Sequence, residues 1–248
     1  MANPIHQFEI IEYVRLPVQA VDLSFTNSSL AMVLGAVIST AFMTSAMRRR
    51  AIVPGRLQMS AELLYEFVGK MVKTNIGKKG RIYLPFIFTL LIFVLMGNLL
   101  GLVPYMFTYT SHLIVTGALA LLVFFAVIGF GLYNHGTHFF SLFLPPNVPW
   151  WLVAFIIPIE IISFFVRPLT LSVRLFANMM AGHIVLKVVV SFAIGAASLG
   201  ALGSLLGVFP VLINVAMLLF ELLVAFVQAY VFAILACVYL KDSVDLHH

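Results

Sequence analysis

Charge and cysteine are both scarce in this sequence. Only 9% of its 248 residues are Asp, Glu, Lys or Arg, against about 25% in soluble proteins. None of these four residue types occurs from Ile82 to Ile159. Cys237 is the only cysteine, which excludes an intrachain disulfide. With 62% hydrophobic residues, the chain is predicted to be an all-α membrane protein that crosses the bilayer several times.

The apolar runs predict five membrane helices within a single membrane domain. The fourth and fifth would be about 67 Å and about 50 Å long, whereas the hydrocarbon core is only about 30 Å thick. We therefore expect these two to form a long, steeply tilted hairpin. The predicted spans are 28–47, 83–107, 112–133, 150–194 and 208–240.

The fourth apolar run allows two interpretations. It could hold two short spans, or one long helix bent at Pro158 and Pro168. No Gly-rich polar turn divides it, which favours the single bent helix. The Gly, Ala and Ser residues of 193–207 are then expected to turn the chain back.

Nine of the 14 basic residues lie between Arg48 and Arg81. The positive-inside rule places this segment in the cytoplasm, with the N-terminus outside and the C-terminus in the cytoplasm. We interpret the basic charge as a sign of topology and lipid contact, so nucleic-acid binding is not expected. Within the segment, 58–73 has one apolar and one charged face and is predicted to be an interfacial helix; a solvated helix is the alternative. Residues 1–26 are expected to form a short helix or an interfacial arm.

The longest apolar run carries a row of charges. Glu160, Arg167 and Arg174 are spaced by seven residues, which places each within about 20° of the one before it around a helix. An ionised side chain at the membrane centre costs roughly 3 kcal/mol. The row is therefore predicted to face protein or water and to handle an ion, although Glu160, Arg167 and Lys187 could also be interfacial anchors.

A second polar row follows in the last apolar run. Asn214, Glu221 and Gln228 are again spaced by seven, and no other Asp, Glu, Lys or Arg lies within 188–240. His183 is the nearest partner for Glu221 across the predicted turn. Both side chains can exchange protons, whereas an arginine stays cationic. This pattern predicts a proton path with Arg174 as its electrostatic gate.

Three other functions are weaker fits to the same residues. His135 and His138 are three apart, but no Cys, Asp or Glu lies near to complete a metal site, so none is expected. An intramembrane hydrolase using Ser163 or Ser172 with His183 lacks a nucleophile motif. A self-contained ion transporter or antiporter would predict an internal repeat, and none is visible.

The motif RLFANMMAGH at 174–183, together with LFELLVAFVQAYVFAILACVYL at 219–240, closely resembles the ATP synthase a subunit family. The resemblance implies that Arg174 faces the carboxylates of a rotating c-ring, with Gln228 nearby. It also implies that Asn178 lines an aqueous half-channel. His183 and Glu221 would form the outer polar pair, and many bacterial members have the acid and the histidine exchanged.

The same resemblance implies a non-catalytic proton-channel subunit without a cofactor or metal. The site residues would be Arg174, His183, Glu221, Gln228, Asn178 and Glu160, and the second polar row adds Asn214. Expected partners are the c-ring, membrane-anchored b-type subunits of the peripheral stalk, the other ATP synthase subunits and the lipid bilayer. The expected location is the bacterial inner membrane, and protons are favoured over sodium.

Overall fold

The computed structural model describes residues 9–14, 17–18, 21–22, 24–48, 51–103, 106–136, 138–139, 150–197 and 201–244. Nearly all of these residues are helical, and five helices are long and apolar enough to cross a membrane. The predicted all-α membrane fold is therefore confirmed. The helices are α1 (Asn27–Met47), α2 (Arg56–Ile76), α3 (Leu84–Gly101), α4 (Leu113–His135), α5 (Trp150–Ala197) and α6 (Ala201–Val244).

Helix α2 is the predicted amphipathic helix and is not among the five candidate spans. Its buried side chains recur at helical spacing, including Ala61, Val68 and Met71. Glu66 and Lys70 pair on the exposed side at 2.8 Å. The helix therefore has one face for packing and one for solvent or headgroups.

Helix α3 ends at Gly101, six residues before the end expected for that span. Pro104 follows closely, and a proline disfavours helical geometry in the residue before it. Thr108 then packs directly on the helix end, since a Cβ on Gly101 would lie 2.5 Å from the Thr108 hydroxyl oxygen. A short 3₁₀ helix, Tyr109–Ser111, leads into α4.

Helix α5 is continuous through Pro158 and Pro168, so the alternative of two separate short spans is wrong. It has 48 residues and is about 72 Å long, well beyond the hydrocarbon thickness. Helix α6, with 44 residues, begins at Ala201, inside the stretch expected to form the turn. Alanine and leucine are strong helix formers, which explains why little of that stretch turns. Only 198–200 separate the two helices, and they lie outside the described residues.

The N-terminal arm is extended over its described residues, which contradicts the short helix among our expectations. Two small antiparallel pairs form, β1 (Glu12–Val14) with β4 (Phe25–Thr26) and β2 (Pro17–Val18) with β3 (Val21–Asp22). Proline and β-branched valine favour extended backbone here.

The chain divides into two compact units. The first contains residues 1–40, 93–112 and 175–229. Its core is organised by Tyr109, which is fully buried and donates a hydrogen bond to the Phe93 carbonyl oxygen at 2.8 Å. Gly35 and Gly97 face the tyrosine ring, and glycine at both positions lets the ring approach the helix backbones.

The second unit contains residues 41–92, 113–174 and 230–248. Tyr83 packs edge-on against Phe130, with ring centroids 4.9 Å apart, and its hydroxyl accepts a hydrogen bond from the Asn134 amide. Phe124, Phe139 and Phe164 form a buried aromatic cluster. These contacts tie the start of α3 to α4, and α4 to α5.

Replacing Gly97 with alanine is expected to destabilise the protein by about 1–3 kcal/mol, as overpacking of a filled core does. The new Cβ would lie 2.5 Å from the Tyr109 ring. The midpoint of thermal unfolding in detergent would measure the effect. Gly129→Ala is the matched control, since nothing lies within 4 Å of its Cβ position. Equal midpoints for the two variants would contradict the packing role of Tyr109.

Candidate functional site

His183 on α5 and Glu221 on α6 face each other in the first unit, as the sequence predicted. Their Nδ1 and Oε1 atoms are 3.8 Å apart, and the residues are 6% and 5% exposed. Neither Glu221 oxygen has a hydrogen-bond partner among the described residues, although both are buried. A carboxyl group in this setting is poised to exchange a proton with the imidazole or with water.

Thr108 holds the other side of the imidazole. Its Oγ1 atom lies 3.1 Å from His183 Nε2, and the threonine is buried. One ring nitrogen therefore faces a hydroxyl while the other faces the Glu221 carboxylate. These two contacts fix the plane of the ring. The contact with Thr108 could not be predicted, because 75 residues separate it from His183 in the chain.

Thr108→Val should lower the free energy of unfolding by about 1–3 kcal/mol, because it preserves shape but removes the buried hydroxyl that contacts His183. The midpoint of thermal unfolding in detergent would measure the loss. Thr108→Ser keeps the hydroxyl and should unfold close to the wild-type midpoint. Equal losses in the serine and valine variants would show that the methyl packing matters and the hydrogen bond does not.

Gly182 makes room for Glu221. A Cβ at this position would lie 2.7 Å from Glu221 Oε1, closer than side chains tolerate. The glycine of the RLFANMMAGH motif thus allows the acid of α6 to reach the backbone of α5 beside His183.

A second contact joins the same two helices. The Asn178 amide donates to Gln228 Oε1 at 2.9 Å. Because Asn178 precedes His183 while Gln228 follows Glu221, the helices run antiparallel within this unit. The Gln228 amide nitrogen and the Asn214 side-chain oxygen are buried without a hydrogen-bond partner among the described residues.

Asn98 is a polar residue of this unit that was not among the site residues predicted from the sequence. It is fully buried on α3 and donates to the Ala225 carbonyl oxygen at 3.2 Å, while its own side-chain oxygen has no partner among the described residues. Several buried polar atoms on α3 and α6 therefore remain available to water.

Arg174 belongs to the second unit and lies on an exposed face of α5. Within the described part of the chain, its guanidinium makes no ion pair or hydrogen bond. Its neighbours Leu169 and Val173 are also exposed, at 61% and 43%. The exposed surface around Arg174 thus combines a permanent cation with apolar side chains and the polar Thr170.

Arg167 pairs with two acids in the second unit. Its guanidinium is 3.7 Å from Glu160 Oε1 and 2.9 Å from Asp242 Oδ2. It also lies over the Tyr239 ring at 5.3 Å. Asp242 was not among the site residues predicted from the sequence.

Residues considered for a metal site and for a hydrolase site make other contacts in the structure. His135 Nε2 lies 2.9 Å from the Val244 carbonyl oxygen, and the described residues contain no group of three metal-ligating side chains. The Ser172 hydroxyl lies 3.2 Å from that of Thr116, a contact between two helices. The serine is thus accounted for by helix packing.

Comparison with known proteins matches residues 29–241 to the family described as ATP synthase A chain. The protein named ATP synthase subunit a from Azorhizobium caulinodans is 51% identical over 247 residues, covering 99% of each chain. Its namesake in Mesorhizobium japonicum is 50% identical, covering 99% of this chain and 98% of the relative. That of Rhodospirillum rubrum is 48% identical over the full length of both. In agreement with the resemblance in its motifs, the chain belongs to the ATP synthase A chain family.

Proposed function

We propose that this chain is the proton-translocating stator subunit of a rotary ATP synthase. In this proposal, two offset aqueous half-channels bring protons to and from the carboxylates of a c-ring, and Arg174 keeps the channels apart. The observation that carries the proposal is the buried His183–Glu221 pair, 3.8 Å apart on two apolar helices.

The first half-channel would run through the first unit. Glu221 and His183 can pass a proton between them, and Asn98, Asn214 and Gln228 supply buried polar atoms that lack protein partners within the described residues. Such atoms are normally satisfied by ordered water. A chain of water and side chains would therefore carry protons from the outer side toward the ring.

Arg174 would act as the barrier. Its guanidinium remains charged at any physiological pH and so cannot relay a proton. A cation on an exposed helix face attracts the ionised carboxylate of a ring subunit and favours loss of its proton. Asn178 lies four residues further along α5 and so shares this side of the helix.

The second half-channel would involve Glu160, Arg167 and Asp242. Two carboxylates that share one arginine are held close together at about one-third exposure. They can accept protons released near Arg174 and pass them to cytoplasmic water. Asp242 thus joins Glu160 as a proposed exit residue.

This function implies a c-ring, b-type stalk subunits and the other ATP synthase subunits as partners. It places the chain in the bacterial inner membrane, with the N-terminus outside and the C-terminus in the cytoplasm. The chain itself would carry out no nucleotide chemistry and would need no cofactor.

Reconstitution tests the proposal against the alternative of a self-contained transporter. The purified chain is placed in liposomes alone, or together with the c-ring and the stalk subunits, and proton uptake is driven by a potassium diffusion potential. We expect uptake only in the presence of the ring. Equal uptake by the chain alone would support the transporter and overturn the proposal.

A further inference from the structure

A basic pocket lies where α2 meets the start of α3. It has a volume of about 460 Å³, within the range of small-ligand sites. Its cations are Lys73, Lys78 and Arg81, and no acidic residue lines it. The remaining lining residues are Tyr65, Gly69, Val72, Gly77 and Leu84.

Two glycines shape the chain around this pocket. Gly77 ends α2 at φ +82°, a conformation that favours glycine, and its N–H bonds to the Lys73 carbonyl oxygen at 3.1 Å. Gly80 lies in the 3₁₀ helix Lys78–Ile82, where a Cβ would come within 2.8 Å of Val72. Close packing onto α2 therefore holds Lys78 and Arg81 on one turn, near Lys73.

The three cations have no counter-charge within the described residues. None of them forms an ion pair with any residue described, in contrast to Lys70, which pairs with Glu66 at 2.8 Å. The Lys70 ammonium holds the pKa of Glu66 below its ordinary value. The positive charge of the pocket thus remains available to an anion.

The position of the pocket beside a candidate membrane span indicates the class of anion that it binds. Arg81 is the last charged residue before the charge-free stretch, and the candidate span α3 begins at Leu84. Ile82, next to Arg81 in the chain, is 80% exposed, and Tyr65 of the pocket lining is 53% exposed. Lipid phosphates lie at this boundary, and basic pockets beside membrane helices bind anionic headgroups.

We propose that this pocket binds the phosphodiester headgroup of an anionic glycerophospholipid, and that the phosphate is contacted by Lys73, Lys78 and Arg81. The lipid would fasten α2 and the start of α3 to the membrane surface. The site is independent of the proton-translocating residues, so the proposal does not depend on the proposed function.

Photo-crosslinking to the intact ATP synthase complex tests the site. The probes are phosphatidylglycerol and phosphatidylcholine carrying the same photoreactive group near the phosphate, in phosphatidylcholine nanodiscs. For the wild type, we expect phosphatidylglycerol to label residues 65–84 and unlabelled phosphatidylglycerol to compete. Equal labelling by the two probes, or displacement by millimolar inorganic phosphate, would overturn the lipid assignment.

Two variants with the same loss of charge complete the test. The combination Lys73→Gln, Lys78→Gln and Arg81→Gln should weaken phosphatidylglycerol binding about a hundredfold, at about one kcal/mol for each basic side chain. The control combination is Arg56→Gln, Lys70→Gln and Lys79→Gln, which lies outside the pocket lining. The phosphatidylglycerol probe should label this control combination as strongly as it labels the wild type. Equal losses in the two combinations would indicate general surface attraction and contradict a defined site.

Discussion

Arg174→Ala is expected to abolish ATP-driven acidification of inverted membrane vesicles. Without the fixed cation, a ring carboxylate has no reason to release its proton at the interface, and the two water paths are no longer kept apart. Arg167, the other arginine of α5, is not a substitute, because it is already paired with Glu160 and Asp242. The quenching of a pH-sensitive dye during ATP hydrolysis would measure the loss.

Arg56→Ala is the control for this variant, since it removes an arginine outside the five candidate spans. Acidification should then be normal. Assembly is checked by recovery of the ring with the tagged chain. A fully assembled Arg174→Ala complex that pumps at the normal rate would rule out Arg174 as the electrostatic gate.

Glu221→Gln should reduce pumping at least tenfold. The amide has nearly the same shape and fits beside Gly182, but it cannot exchange a proton with His183. The expected loss is therefore chemical and not a packing defect. ATP synthesis driven by an imposed proton gradient should fall by a similar factor.

Glu66→Gln provides the comparison for loss of an acid. Its carboxylate is exposed and pairs with Lys70 on α2, far from either polar row in the sequence. That variant should keep full activity, and Glu221→Asp should keep part of it. Normal pumping by Glu221→Gln would show that Glu221 is not part of the proton path.

Most of the candidate site that could be predicted from the sequence came from the two rows of polar residues spaced by seven. Residues spaced by seven share a helix face, so the two rows already indicated which sides of α5 and α6 are polar. The position of the turn between the helices then paired His183 with Glu221. Long apolar runs indicated helices too long to stand upright, and α5 is indeed continuous through both prolines.

Contacts between residues that lie far apart in the sequence could not be predicted from it. Thr108 reaches His183 only because α3 ends at Gly101 and the chain folds back on the helix end. Asp242 joins Arg167 only when α6 returns along α5. No periodicity connects residues 75 apart, and an acid beside a polar terminus looks like ordinary solvated charge.

The most direct measurement of the central claim is passive proton flux through complexes whose rotor is covalently locked to the stator. In the wild type, Arg174 should keep the locked complex closed, so an imposed potential drives no flux. In Arg174→Ala, the same complex should leak, because protons no longer need the turning ring to pass. If the locked Arg174→Ala complex showed as little passive proton flux as the wild type, the account would be contradicted.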